Sequence, residues 1–229
     1  MDFFNETVFR LFGQDITWTE IIGDISGLLC VWMLTRQIIW NWPVGLVNNV
    51  FFFILFADAH LFANSVLQIA YFALGVYGWQ QWARHRDVDT STSVATELAV
   101  RRTTRAEWIA IGTALAIGWP LMWWFLERYT DPAQPIWDSV TVALSLIATW
   151  AQTRKLLESW WIYIVVDVIS VPLFFSQGLG LTGIVYFVFG ILCVIGLRDW
   201  RRSMTAGGVP AAPTASTAFT ASTASGVGS

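Results

Sequence analysis

The sequence predicts an all-α membrane protein of seven transmembrane helices, arranged as two parallel three-helix repeats joined by a linker helix (3+1+3). Three observations carry that expectation. The 229 residues are 55% hydrophobic and only 13% charged, against about 25% charged in an ordinary soluble domain, and mean hydropathy is +0.56. The apolar residues fall into seven runs, each near the roughly 20 residues that a hydrocarbon core of about 30 Å demands. The basic residues alternate from side to side between those runs. A soluble enzyme cannot hide so much apolar surface. A net charge of −3 offers nothing to a nucleic acid.

In chain order, residues 1–17 form an extracytoplasmic N-terminus. Met1 to Arg10 shows neither a basic n-region nor an apolar h-region, so no signal peptide is expected there. Spans over 18–36, 42–58 and 61–82 make the first repeat, residues 18–82. Residues 83–106 form a cytoplasmic loop, and 107–127 the linker helix. Spans over 137–154, 160–177 and 180–198 make the second repeat, residues 137–202. Residues 203–229, rich in Ala, Thr, Ser and Gly and without charge, cannot bury a core and are expected as a disordered cytoplasmic tail.

Charge placement orients the chain. Arg36, Arg84, Arg86, Arg101, Arg102, Arg105, Arg154, Lys155, Arg198, Arg201 and Arg202 all fall on one side, eleven of the thirteen basic residues. Only Arg10 and Arg128 fall on the other. The positive-inside rule puts the N-terminus outside and the C-terminus in the cytoplasm of a multi-pass cell-membrane protein. Of the fifteen Trp, Trp42, Trp82, Trp137 and Trp200 lie near span ends, where interfacial belts form. Cys30 and Cys193 sit inside apolar runs and read as small buried hydrophobes.

The repeat rests on ordered matches. Trp32-x3-Arg36 has a counterpart in Trp150-x3-Arg154, and Gly78-x3-Trp82 in Gly196-x3-Trp200. Helix 2 opens at Trp42 and helix 6 at Trp161, followed six residues later by Asn48 and Asp167. Three helices is an odd number, so helix 4 restores the direction of the second repeat. Parallel repeats about an axis along the membrane normal are a transporter architecture, with a site near the midplane between the halves.

Polar residues inside spans need reasons, because each ionisable one costs roughly 2.5–3.5 kcal/mol at helix centre. Asp167 lies about 10 Å down the axis from Trp160. Trp160, Tyr163, Asp167 and Ser170 share one helix face. An aromatic pair above a carboxylate suits a flat cation. Asn48 lies at a similar depth in helix 2. Its neighbour Asn49 points about 100° away, so one of the two faces the lumen. Helix 3 carries Asn64, Gln68, Tyr71, Gly75, Gly78 and Trp82 as a stripe, and Tyr186 of helix 7 takes the repeat position of Gln68. The candidate substrate-binding set is therefore Trp160, Tyr163, Asp167, Asn48, Gln68, Tyr71 and Tyr186. Asp138 reads as a helix-start acid. Asp24 is open between a structural, a proton-carrying and a vestibule role. Pro120 and Pro172 are expected to kink helices 4 and 6.

Two other classes fail on named residues. A retinal protein needs a Lys within helix 7, and the single Lys is Lys155, at the end of helix 5. An embedded enzyme finds no HExxH, no paired Cys/His and no Gx-Ser-xG in a span. No metal and no cofactor are expected.

The runs Thr153-Arg154-Lys155-x2-Glu158-x-Trp160-x2-Tyr163-x3-Asp167 and Asn41-x3-Gly45-Leu46-x-Asn48 resemble the PnuC-type nicotinamide riboside transporters. So do Gln68, Tyr77-Gly78-Trp79-x2-Trp82 and Ile136-Trp137-Asp138-Ser139. The likeness covers residues 18–202. It implies the 3+1+3 fold, a homotrimer, and facilitated diffusion of a vitamin precursor trapped by a cytosolic kinase for NAD biosynthesis. The family's helix 6 pattern is Trp-x2-Trp-x3-Asn. Here Tyr163 and Asp167 replace its second Trp and its Asn. Relatives carry thiamine or riboflavin. A carboxylate favours a small cationic substrate, nicotinamide riboside or thiamine, over neutral riboflavin, and proton coupling stays open.

Overall fold

The computed structural model describes residues 7–11, 14–58, 62–84, 98–129 and 134–206. Two short strands, β1 (Thr7–Leu11) and β2 (Gln14–Thr17), pair antiparallel ahead of seven helices. The helices are α1 (Trp18–Thr35), α2 (Asn41–Asp58), α3 (Phe62–Arg84), α4 (Arg105–Tyr129), α5 (Pro135–Thr153), α6 (Ser159–Ser176) and α7 (Gly180–Ala206). The seven expected helices are thus present, and the hairpin corrects the all-α expectation at the N-terminus. By length and composition α4, α6 and α7 are long and apolar enough to cross a membrane. The 83–106 loop is shorter than expected, because α3 runs on to Arg84 and α4 starts at Arg105. Ser203 to Ala206, expected in the tail, continue α7, and residues 207–229 lie outside the described residues. Both Pro120 and Pro172 are contained within continuous helices.

Contacts in the two halves recur at a constant separation of 118 positions. Trp42 lies against Gly78 and meets Trp82 edge to face at 5.6 Å; Trp160 lies against Gly196 and meets Trp200 edge to face at 5.3 Å. A methyl on either glycine would sit 2.4 Å and 2.5 Å from the partner indole, so only glycine admits the ring. The turn after α1 and the turn after α5 are built alike. Ile38 N–H donates to the Met33 carbonyl at 2.9 Å and Leu156 N–H to that of Ala151 at 3.0 Å. Both turns pass through a left-handed residue, Gln37 at φ 56° and Lys155 at φ 50°. This is a Schellman-type helix end, at a position where a side chain costs roughly 1–2 kcal/mol.

The halves meet along α1 with α7 and α3 with α5. Trp200 Nε1 donates to the Leu34 carbonyl at 3.1 Å, and Trp82 Nε1 to the Gln152 carbonyl at 3.3 Å. Leu34 and Gln152 are again 118 apart. Lys155 Nζ donates to Gln37 Oε1 at 3.0 Å and lies 4.5 Å from the centre of the Trp82 ring. Lipid tails are as apolar as the side chains, so packing and hydrogen bonds hold helices together where the hydrophobic effect is weak. Trp42, Trp82, Trp160 and Trp200 are all buried. The first, second and last were expected in an interfacial belt; the glycine four residues before Trp82 and before Trp200 instead draws each pair inward. Trp137 is 49% exposed and fits the belt.

The segment before α4 is pinned to the α5–α6 turn. Leu157 N–H donates to the Arg101 carbonyl at 2.9 Å, and Glu158 accepts from Thr103 N–H and Oγ1 at 2.8 and 2.7 Å. Thr104 and Glu107 form a capping box at the start of α4. Arg101 grips Glu107 through two bonds of 2.8 and 2.6 Å, and that carboxylate holds the guanidinium above its usual pKa.

Candidate functional site

Above the Trp contacts, between the halves, lies a cavity of about 230 Å³. Helix α6 contributes Trp160, Tyr163 and Asp167, as their shared face requires. Tyr71 comes from α3, Ser145 and Gln152 from α5, and Tyr186, Phe189 and Cys193 from α7. Val31 and Leu34 of α1 close it. Five of the seven candidate residues therefore converge: Trp160, Tyr163, Asp167, Tyr71 and Tyr186.

One phenol is held at its hydroxyl and another by its ring. The Tyr163 and Thr149 hydroxyls are 2.7 Å apart. Thr149 Oγ1 donates to the Ser145 carbonyl at 2.8 Å, so the proton between the two hydroxyls comes from Tyr163. Tyr71 and Ser145 line the cavity together. The Tyr186 ring is braced by Phe174 at 4.8 Å and Phe189 at 5.7 Å. These contacts hold Tyr163 and Tyr186 at the cavity wall.

Asp167 is 6% exposed. Its Oδ2 has no partner among the described residues. The indole Nε1 of Trp160 is likewise buried and unpartnered. A buried acceptor and a buried donor on one cavity are both left for something else to satisfy, since each unmade bond costs about 1–3 kcal/mol.

Two candidates lie elsewhere. Asn48 Oδ1 accepts from Ser26 Oγ at 3.1 Å, joining α2 to α1. Gln68 lines a separate groove with Asn49, Val50, Phe53, Ile69 and Phe72 on the α2–α3 face. At 100° per residue Gln68 stands about 60° from Tyr71 around α3, enough to part them. The repeat pairing also shifts by one. Trp160, not the 55% exposed Trp161, corresponds to Trp42, so the counterpart of Asp167 is Asn49 rather than Asn48. Asp138 accepts from Gln134 N–H at 3.3 Å, as a helix-start acid does. Gln152, Ser145 and Cys193 were missed as cavity residues. The signal for Gln152 was its place as an amide in an apolar run two residues before Arg154.

Comparison with known proteins gives this geometry a family. The model of the family described as nicotinamide mononucleotide transporter matches residues 17–202. The riboflavin/roseoflavin transporter RibM of Streptomyces davaonensis is 32% identical over 201 residues, covering 87% of this chain and 92% of RibM. The nicotinamide riboside transporter PnuC of Escherichia coli is 31% identical over 216 residues, covering 83% and 88%. The crystal structure of the vitamin B3 transporter PnuC shares the fold, with a TM-score of 0.63 at 22% identity over 82% of this chain and 83% of that one. With its seven helices and these relatives, the chain belongs to the nicotinamide mononucleotide transporter family of PnuC-type membrane vitamin transporters.

Proposed function

We propose that this chain carries a small cationic vitamin, nicotinamide riboside first, by facilitated diffusion. The observation that carries the reading is the buried Asp167 Oδ2 without a partner, facing a cavity ringed by Tyr71, Tyr163 and Tyr186. A pyridinium ring between phenol faces satisfies both the carboxylate and the π-systems. Gln152 and the Trp160 N–H are placed for amide or ribose oxygens. The cavity of about 230 Å³ lies below the roughly 300–1,000 Å³ of drug-sized pockets, which favours one aromatic ring with a sugar over a three-ring flavin.

The recurrence at 118 positions supports the 3+1+3 arrangement, with α4 as the linker. Charge placement supports an outside N-terminus and a cytoplasmic C-terminus. Family likeness supports a homotrimer and trapping of the substrate by a cytosolic kinase. A second reading, riboflavin transport, is favoured by the 32% identity to RibM, level with the 31% to PnuC. Thiamine is a third substrate, and proton coupling through Asp167 a variant of all three.

The deciding experiment is uptake into liposomes of labelled nicotinamide riboside, thiamine and riboflavin, side by side and with or without a pH gradient. Uptake of riboflavin alone overturns the cationic reading. A response to the gradient overturns plain facilitation.

A further inference from the structure

A concavity of about 610 Å³ lies away from the site, between α3, α4 and α5. Its floor is made of small residues, Ala73 on α3, Ala143 on α5, and Ala110, Ala114 and Gly118 at four-residue steps on α4. No polar side chain lines it. From Ala110 to Met122 it runs about 18 Å along α4 at 1.5 Å per residue, close to the depth of one leaflet, about 15 Å. One end is capped by Trp150, with the Arg154 guanidinium 4.7 Å from its ring centre. Beside that end, exposed Arg102 and Arg105 lead into α4. Glu107 is engaged by Arg101 at 2.6 Å and Arg154 at 3.5 Å, which leaves the charge of Arg102 and Arg105 facing outward.

We propose that this groove is a binding site for an anionic phospholipid of the bilayer. One acyl chain lies over Ala110, Ala114 and Gly118, and the headgroup phosphate meets Arg102 and Arg105 at the basic end. Small residues also suit a neighbouring helix, but a neighbouring helix leaves the exposed charge of Arg102 and Arg105 at the groove's end unanswered. An anionic headgroup meets the same cluster with opposite charge.

The test uses the full-length protein in detergent, with bound dioleoyl phosphatidylglycerol and phosphatidylcholine counted by native mass spectrometry. Phosphatidylglycerol is expected to be retained at least tenfold better. Gly118→Phe fills the groove; a Cβ there meets nothing within 4 Å, so the variant keeps its fold and its melting temperature in lipid-free detergent. It is expected to lose the retained lipid. Arg102→Gln and Arg105→Gln each weaken retention about fivefold, the equivalent of one basic residue near an anionic surface. Equal retention of the two lipids overturns the headgroup contact. Unchanged retention in Gly118→Phe overturns the site. A fall in oligomeric mass in that variant assigns the groove to a second copy instead.

Discussion

The groove on α2–α3 and the groove on α6–α7 share the same six positions, filled by different residues. Asn49, Val50, Phe53, Gln68, Ile69 and Phe72 line the first, about 190 Å³. Their counterparts 118 positions later, Asp167, Val168, Val171, Tyr186, Phe187 and Gly190, line part of the second, about 400 Å³. Two exchanges matter. Gly190 stands where the first half has Phe72, and a Cβ there would lie 3.6 Å from Asp167. A carboxylate and a phenol stand where the first half has two amides. Only the second half's pair also reaches the cavity between the halves. A shared backbone frame thus carries amides facing an outer groove in one half and a carboxylate and a phenol facing the central cavity in the other.

The largest effect should come from breaking that asymmetry at its charge. Asp167→Ala should lower cation uptake about 10- to 100-fold, the worth of a charged hydrogen bond of about 1.5–3 kcal/mol. Asn49→Ala should leave uptake within about twofold in the same liposome assay. Equal losses would mean that both halves bind.

Next come the glycines, where the halves should behave alike. Gly78→Ala and Gly196→Ala each press a methyl into an indole and should cost about 1–3 kcal/mol in thermal unfolding. Gly190→Ala, at ordinary contact distance, should cost well under that. A large effect at only one of Gly78 and Gly196 would break the equivalence.

Smaller again is the loss of one indole hydrogen bond across the halves. Trp82→Phe and Trp200→Phe each remove that bond while the Gln152 and Leu34 carbonyls keep their backbone donors, Lys155 and Gln37, for about 1 kcal/mol of stability by the same measurement. Smallest is Gln68→Ala, expected to leave transport unchanged within about twofold; a loss as large as that of Asp167→Ala would return Gln68 to the site.

Much of this was legible in the sequence, for reasons that also explain what was not. Long apolar runs announce helices because lipid satisfies no backbone group. Trp160, Tyr163 and Asp167 converge because spacings of three and four share a face. The same rule failed on α3. A step of three stops about 60° short of a full turn, and that set Gln68 to one side and Tyr71 to the other. Asn48 and Asn49 are adjacent, so a one-residue error in the repeat register exchanged their roles. Trp42 and Trp161 look like equal span openings in sequence. Only Gly196 against Trp160 fixes which indole is buried. The groove beside α4 was invisible, because alanines on three helices leave no pattern until the helices are assembled.

The two left-handed turns carry one more consequence. Gln37 and Lys155 occupy equivalent places, touch each other, and have diverged into an acceptor and a cation. Two copies of the second half, paired in the same way, would set one lysine against another. The unlike pair instead joins a cation to an acceptor. One charged hydrogen bond, between two residues held in left-handed backbone conformations, thereby ties the end of one half to the end of the other.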